Sequence, residues 1–120
     1  LFQEKGGFIK MEKKKYNVQE ILDEIGKILI KKNIDYGGAS FDLGLWGNLV
    51  HIWDKVNRYK TLVEKGSPEV QESIQDTLKD IIGYAVIGLI IQDIEKNCHS
   101  LQERQDIENN VKLIGYDNRL

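Results

Sequence analysis

The fold is decided by residues 67–97, SPEVQESIQDTLKDIIGYAVIGLIIQDIEKN. Ser67 followed by Pro68 is a helix start. Serine offers a side-chain oxygen to the free amides of the first turn, and proline suits a position where its missing N–H is not needed. Pro68 is the only proline in 120 residues, so no proline breaks the run that follows. In its first half Val70, Ile74, Leu78, Ile81 and Ile82 share one side of the helix. From Ile81 to Ile91 the segment is apolar nearly all round. A helix of that kind is buried by more than one neighbour.

Toward the N-terminus, Gly66 closes an earlier helix predicted over residues 43–65. Its apolar stripe is Leu45, Leu49, Ile52, Val56, Tyr59 and Val63, expected to face the core. A first helix is predicted over residues 18–32, with Val18, Ile21, Leu22, Ile25, Ile28 and Leu29 on its buried face. Asn17 is its N-cap, with Glu20 in the capping-box position. Residues 33–40 read as a turn-rich loop. After His99-Ser100 a weaker polar helix is expected over residues 101–111, and residues 115–120 read as loose. No strand-like alternation and no internal repeat is present. The expected fold is all-α, a bundle of three long helices plus a weaker C-terminal helix. Leu1-Phe2-Gln3 looks like the remnant of an engineered protease site, and Met11, the only methionine, reads as the natural start. Residues 1–10 are therefore taken as a leader, 11–112 as a single helical domain and 113–120 as a C-terminal tail.

Composition narrows the class. Seventeen lysines and arginines face nineteen aspartates and glutamates, a net charge of -2. This balance argues against general nucleic-acid binding. Hydrophobic residues at 41% and charged residues at 30% fit a folded domain. The single cysteine, Cys98, excludes an internal disulfide and a cysteine-based zinc site. The apolar run over residues 81–91 is well short of the roughly 20 residues that span a bilayer, so no membrane association is expected. With no secretory signal, a cytoplasmic location is expected. The third helix carries more apolar surface than a chain of this size covers. A homodimer or higher homo-oligomer, with this helix in a shared core, is the expectation.

Two polar bands carry the possible chemistry. On a wheel of about 100° per residue with Glu72 at zero, Asp76 falls near 40° and Asp80 near 80°. That is almost opposite the stripe of Val70, Ile74 and Leu78. Two readings stand: a solvated acidic face, or a Mg²⁺ cradle, because the same face turns apolar at Ile87 and Ile91 and must be covered there. On the second helix, with Leu45 at zero, Asn48, His51, Lys55 and Arg58 form a band at about 220–300°. They either grip a phosphate or pair with Asp76 or Asp80 across helices. His51 is a candidate general base or a structural histidine. Asp54, near 180°, reads as a surface residue. His99 is read as serving a helix end and Cys98 as inert. Trp46 and Trp53 pack in a core or interface, or stack on a base. Gly37-Gly38 either offers amides to phosphate or is a plain loop.

Several motifs then point one way. They are Asp35-Tyr36-Gly37, Gly44-Leu45, Asp54-Lys55-Val56-Asn57-Arg58 with Leu62, and the run from Glu72 and Asp76 through Asp80 to Tyr84-Ala85. Together they resemble the nucleotide modification associated domain 1 family, common in bacteriophages, over about residues 32–91. That family in turn looks like the all-α nucleoside triphosphate pyrophosphatases, the MazG and dimeric dUTPase group. The resemblance implies a helical oligomer that holds Mg²⁺ on carboxylates of two adjacent helices and splits the α–β phosphate bond of a nucleotide. It assigns catalysis to Glu72 and Asp76, Mg²⁺ to Glu72, Asp76 and Asp80, and phosphate to Lys55 and Arg58 with Lys32. Asp54, His51, Asn48 and Tyr84 are further candidates. The earlier helix departs from the pyrophosphatases: where they place two glutamates, it offers Asn48, His51 and Asp54. That departure leaves a second expectation, a non-catalytic module that docks on a host or defence protein as an inhibitor, with Trp46 or Trp53 as anchors. A third is a structural subunit whose two bands pair with each other. A phage origin implies the cytoplasm of a bacterial host.

Overall fold

The computed structural model describes residues 12–36 and 41–116, and among these it is helical, with no strand. Four helices follow in order: α1 (Val18–Tyr36), α2 (Gly44–Lys65), α3 (Gln71–Asn97) and α4 (Leu101–Glu108). A 3₁₀ turn, Pro68–Val70, leads into α3. None of these helices is long and apolar enough to cross a membrane.

Most local start and stop signals act as the sequence predicts; the exception is Ser67, which takes the N-cap position but caps no amide with its side chain, its Oγ donating instead to the Glu69 carboxylate at 3.2 Å. Asn17 Oδ1 accepts the Glu20 amide at 3.0 Å, and Asn17 Nδ2 reaches the Glu20 carboxylate at 3.4 Å. Gly66 caps α2 in the left-handed conformation at φ 66°, and Pro68 opens the next turn. Ser100 Oγ accepts the Glu103 amide at 3.1 Å, while Glu103 Oε1 accepts the His99 amide at 2.7 Å, so α4 also begins with a reciprocal cap.

Two ends differ. α1 continues past Lys32 to Tyr36. Asn33 does not start a turn: it is buried, and its Oδ1 accepts the Leu113 amide at 3.2 Å. The inward asparagine ties the C-terminal segment to α1, and the helix runs on to the glycine pair. Gly37 and Gly38 themselves lie outside the described residues. α4 stops at Glu108 rather than 111, in a turn at Asn109 and Asn110.

α2 and α3 are antiparallel: Asn48 meets Tyr84 while Lys55, two turns later, meets Asp80. α1 lies across another side of α3, with Leu29 over Gly83. The core beneath them is small. Phe41, Ile87, Ile91 and Leu113 form one buried cluster, with Leu29, Ile30, Ile90 and Val111 packed against it.

The packed faces are not those the apolar stripes predict. On α2 the buried residues are Gly44, Gly47, Asn48 and Leu62. The stripe of Leu45, Leu49, Val56 and Val63 is exposed. On α3 the buried residues are Thr77, Gly83, Ile87, Ile91 and Ile94, while Leu78 and Ile82 are exposed. The side of α3 that carries Asp80 is therefore the side that packs. Small residues decide this. Gly83 brings Leu29 of α1 close, and Gly88 lets Asn48 of α2 in: a Cβ on Gly88 would lie 2.6 Å from Asn48 Oδ1. The expected covering of Ile87 and Ile91 does hold; they are 1% and 0% exposed.

Candidate functional site

A groove of about 220 Å³ opens between α1, α2 and α3. Ile25, Ile28 and Leu29 of α1 and Ile87 of α3 give it an apolar wall. Lys32, Lys55, Lys79 and Asp80 give it a charged rim.

Asp80 is the centre of that rim. Its Oδ1 lies 3.2 Å from Lys32 Nζ and its Oδ2 lies 3.2 Å from Lys55 Nζ. Three helices thus send one charge each to a single point, and the trio carries one net positive charge. Lys79, one residue earlier, turns the other way and donates to Glu24 Oε2 at 2.7 Å. That hydrogen bond raises the Lys79 pKa above its ordinary value; partial burial opposes it, and the Glu24 and Asp76 charges add to it. Rim pairs this exposed add little stability, about 0–1 kcal/mol each. Their interest lies in placing two ammonium groups side by side.

Tyr84 lines the groove and is fixed from behind. Its ring stacks on His51 with centroids 4.8 Å apart and planes 3° off parallel. Its carbonyl accepts a bond from Asn48 Nδ2 at 2.8 Å. Asn48 is buried, so this bond satisfies a group that would otherwise be costly to bury.

Of the residues singled out from the sequence, Lys32, Lys55, Asp80 and Tyr84 come together, with Asn48 and His51 supporting them. Glu72 and Asp76 do not join them. They are exposed and line a separate shallow surface with Gln71, Ile74, Gln75 and Leu78. Arg58 and Asp54 are exposed as well. Among the described residues no three His, Cys, Asp or Glu side chains converge as a metal site. A Mg²⁺ ion needs free carboxylate oxygens, and both oxygens of Asp80 face lysines. The single chain therefore does not fit a three-carboxylate Mg²⁺ cradle. Lys79 and Glu24 were missed in the sequence; their only signal is that Lys79 shares a helical turn with Asp80.

A second charged cluster joins α3 to α4. Arg104 Nη1 lies 3.3 Å from Glu95 Oε2, and its Nε lies 3.8 Å from Glu108 Oε1. Glu108 is buried, and its Oε2 has no partner. Burial pushes its carboxyl above the usual range; Arg104 opposes this, and Glu95 and Asp42 reinforce it. Cys98, nearby, is likewise pushed up by burial, with Glu103 and Glu108 adding to the effect and Arg104 opposing it.

In comparison with known proteins, residues 32–92 match the model of a family described as Nucleotide modification associated domain 1. The match takes in Lys32, all of α2 and α3 as far as Gln92, and so every charged group on Asp80. No curated protein and no solved structure matches the chain.

Proposed function

Because the chain belongs to the nucleotide modification associated domain 1 family, we propose that it binds a nucleotide, with the phosphates held in the groove between α1, α2 and α3. The observation that carries this reading is the convergence of Lys32 and Lys55 on Asp80 from two different helices. A phosphate group has more charge and more acceptor oxygens than one carboxylate, so it competes with Asp80 for both ammonium groups. The apolar wall of Ile25, Ile28 and Leu29 then lies beside the remainder of the ligand, and Tyr84 is held in place by His51 and Asn48. Arg58 serves at the outer edge of α2, reaching phosphates that extend from the groove.

Hydrolysis is a finer form of this reading. Glu72 and Asp76 are its acidic residues, with Mg²⁺ as cofactor. The single chain leaves Asp80 engaged by lysines and the other two carboxylates on open surface, so no hydrolytic step is derived from it. A specific observation favours a second reading, that of a docking module for a host or defence protein: Trp46 and Trp53 stand 77% and 68% exposed, and aromatic side chains are frequent anchors at interfaces.

The test is a panel of canonical and modified nucleoside triphosphates with Mg²⁺, followed by thermal stabilisation and by pyrophosphate release. Stabilisation that Lys55→Ala removes is the expected result. If no nucleotide stabilises the wild-type protein, the nucleotide reading fails. Pyrophosphate release that Asp76→Asn abolishes, with the fold intact, adds catalysis to binding.

A further inference from the structure

We infer that Tyr84 is the platform on which the nucleobase stacks, with His51 backing the ring, so that the groove takes a nucleoside phosphate and holds its base by the π-face. The inference rests on the nucleotide reading of the groove and names the residue that holds the other end of the ligand.

An aromatic ring has two faces, and His51 takes one of those of Tyr84. The two rings are parallel to within 3°, with centroids 4.8 Å apart. Tyr84 borders the groove, and His51 is not among its described lining residues. The side of the ring turned away from His51 is therefore the side toward the ligand. His51 is exposed and Tyr84 only half-buried. The stack stands apart from the buried cluster of Phe41, Ile87, Ile91 and Leu113, so its packing is not what fills the core. Asn48 Nδ2 donates to the Tyr84 carbonyl at 2.8 Å, which fixes the backbone that carries the ring.

The spacing along α3 fits a nucleotide. Lys32 and Lys55 meet at Asp80, and Tyr84 lies one turn further on, about 6 Å along the helix axis. The sugar of a nucleotide bridges that interval between a phosphate at the lysines and a base at the ring. Gly83, which also borders the groove, adds no side chain to the space between them. The edge of the base then meets the aliphatic wall of Ile25, Ile28 and Leu29. Aliphatic side chains offer a base edge no hydrogen bond. Every base has a π-face, so a stacking platform accepts different bases.

The two tryptophans do not serve this purpose. On α2, Trp46 and Trp53 lie about 160–180° round the helix from Lys55. They are exposed on the side away from the groove, out of reach of a ligand that Lys55 holds.

Isothermal titration of the full chain tests this by comparing deoxyadenosine triphosphate with inorganic tripolyphosphate, which has no base. The wild type is expected to bind the nucleotide about tenfold or more tightly than tripolyphosphate, as one base stacked on an aromatic ring provides. Tyr84→Leu is expected to lose that advantage and Tyr84→Phe to keep it. His51 is exposed, so His51→Ala leaves the fold intact and carries the test even where Tyr84→Leu fails to fold. It is expected to reduce the advantage, and His51→Phe to restore it. Trp53→Ala is expected to leave it unchanged. A wild type that binds both ligands equally overturns the proposal and leaves the phosphate site standing. An advantage that survives Tyr84→Leu, one untouched by His51→Ala, or one that Trp53→Ala removes overturns it as well. A wild type that binds neither ligand removes the nucleotide reading and this inference with it.

Discussion

The side-chain oxygen of Asn48 lies 2.6 Å from the point where Gly88 would carry a Cβ. The same side chain donates to the Tyr84 carbonyl at 2.8 Å. The absent side chain on α3 is therefore what lets a buried amide of α2 reach the α3 backbone. Gly88→Ala should push Asn48 off its acceptor and destabilise the protein by about 1–3 kcal/mol, close to the cost of Asn48→Ala. The two changes should not add: once Asn48 is truncated, the methyl group that Gly88→Ala introduces has room. Urea unfolding of both single variants and the double variant measures this. A coupling energy near zero would show that Gly88 is there for another reason.

Asp80 stands between two roles, and one substitution separates them. If it only holds Lys32 and Lys55 apart from solvent anions, Asp80→Asn frees both ammonium groups. Inorganic pyrophosphate should then bind roughly tenfold more tightly, a change of about 1.4 kcal/mol, and more weakly as salt rises. If Asp80 instead supplies an oxygen to Mg²⁺, the same variant should lose Mg²⁺-dependent binding. Isothermal titration with and without Mg²⁺ distinguishes the two. The first outcome is expected, because both carboxylate oxygens already face lysines at 3.2 Å.

The parts legible in the sequence are those governed by neighbours along the chain. Asn17 with Glu20, and Gly66-Ser67-Pro68, fix helix ends through contacts within one turn. The pairing of Lys55 with Asp80 was also within reach, as one of the interhelical pairs open to the two bands. Which face packs was not legible. The α2 stripe of Leu45, Leu49, Val56 and Val63 and the Asn48–Leu62 side both occur on one helix, and the choice between them depends on Gly88, far along the chain from Asn48. The continuation of α1 through Asn33 likewise depends on Leu113, eighty residues away. Glu72 and Asp76 share a helix face with Asp80, but the lysines of α1 and α2 reach only the last of the three.

Cys98 is expected to be a slow nucleophile. Burial and two nearby glutamates hold its pKa above the ordinary thiol value, so less thiolate is present at mildly alkaline pH. Alkylation by iodoacetamide at pH 8 should be several-fold slower than for a free cysteine peptide, and should approach the peptide rate in denaturant. A native rate equal to the peptide rate would contradict the assignment.

Glu108 should make stability fall as pH rises. Its folded-state pKa lies above the unfolded value because burial disfavours the carboxylate. Folding therefore takes up protons at this site, and the native state binds more of them than the unfolded state does. The contribution of Glu108 is fully present below its unfolded pKa and is lost as pH climbs through the raised folded one. Glu108→Gln removes that dependence while keeping the shape and one acceptor oxygen near Arg104. The variant should match wild type at pH 4 and melt at a higher temperature at pH 7, where the wild type buries a carboxylate with one oxygen unpartnered. Arg104 retains Glu95 at 3.3 Å in both proteins, so its charge is not left alone. Thermal unfolding of both proteins from pH 4 to pH 8 gives the comparison. A variant that is less stable than wild type at neutral pH would mean that the attraction to Arg104 outweighs the burial of Glu108.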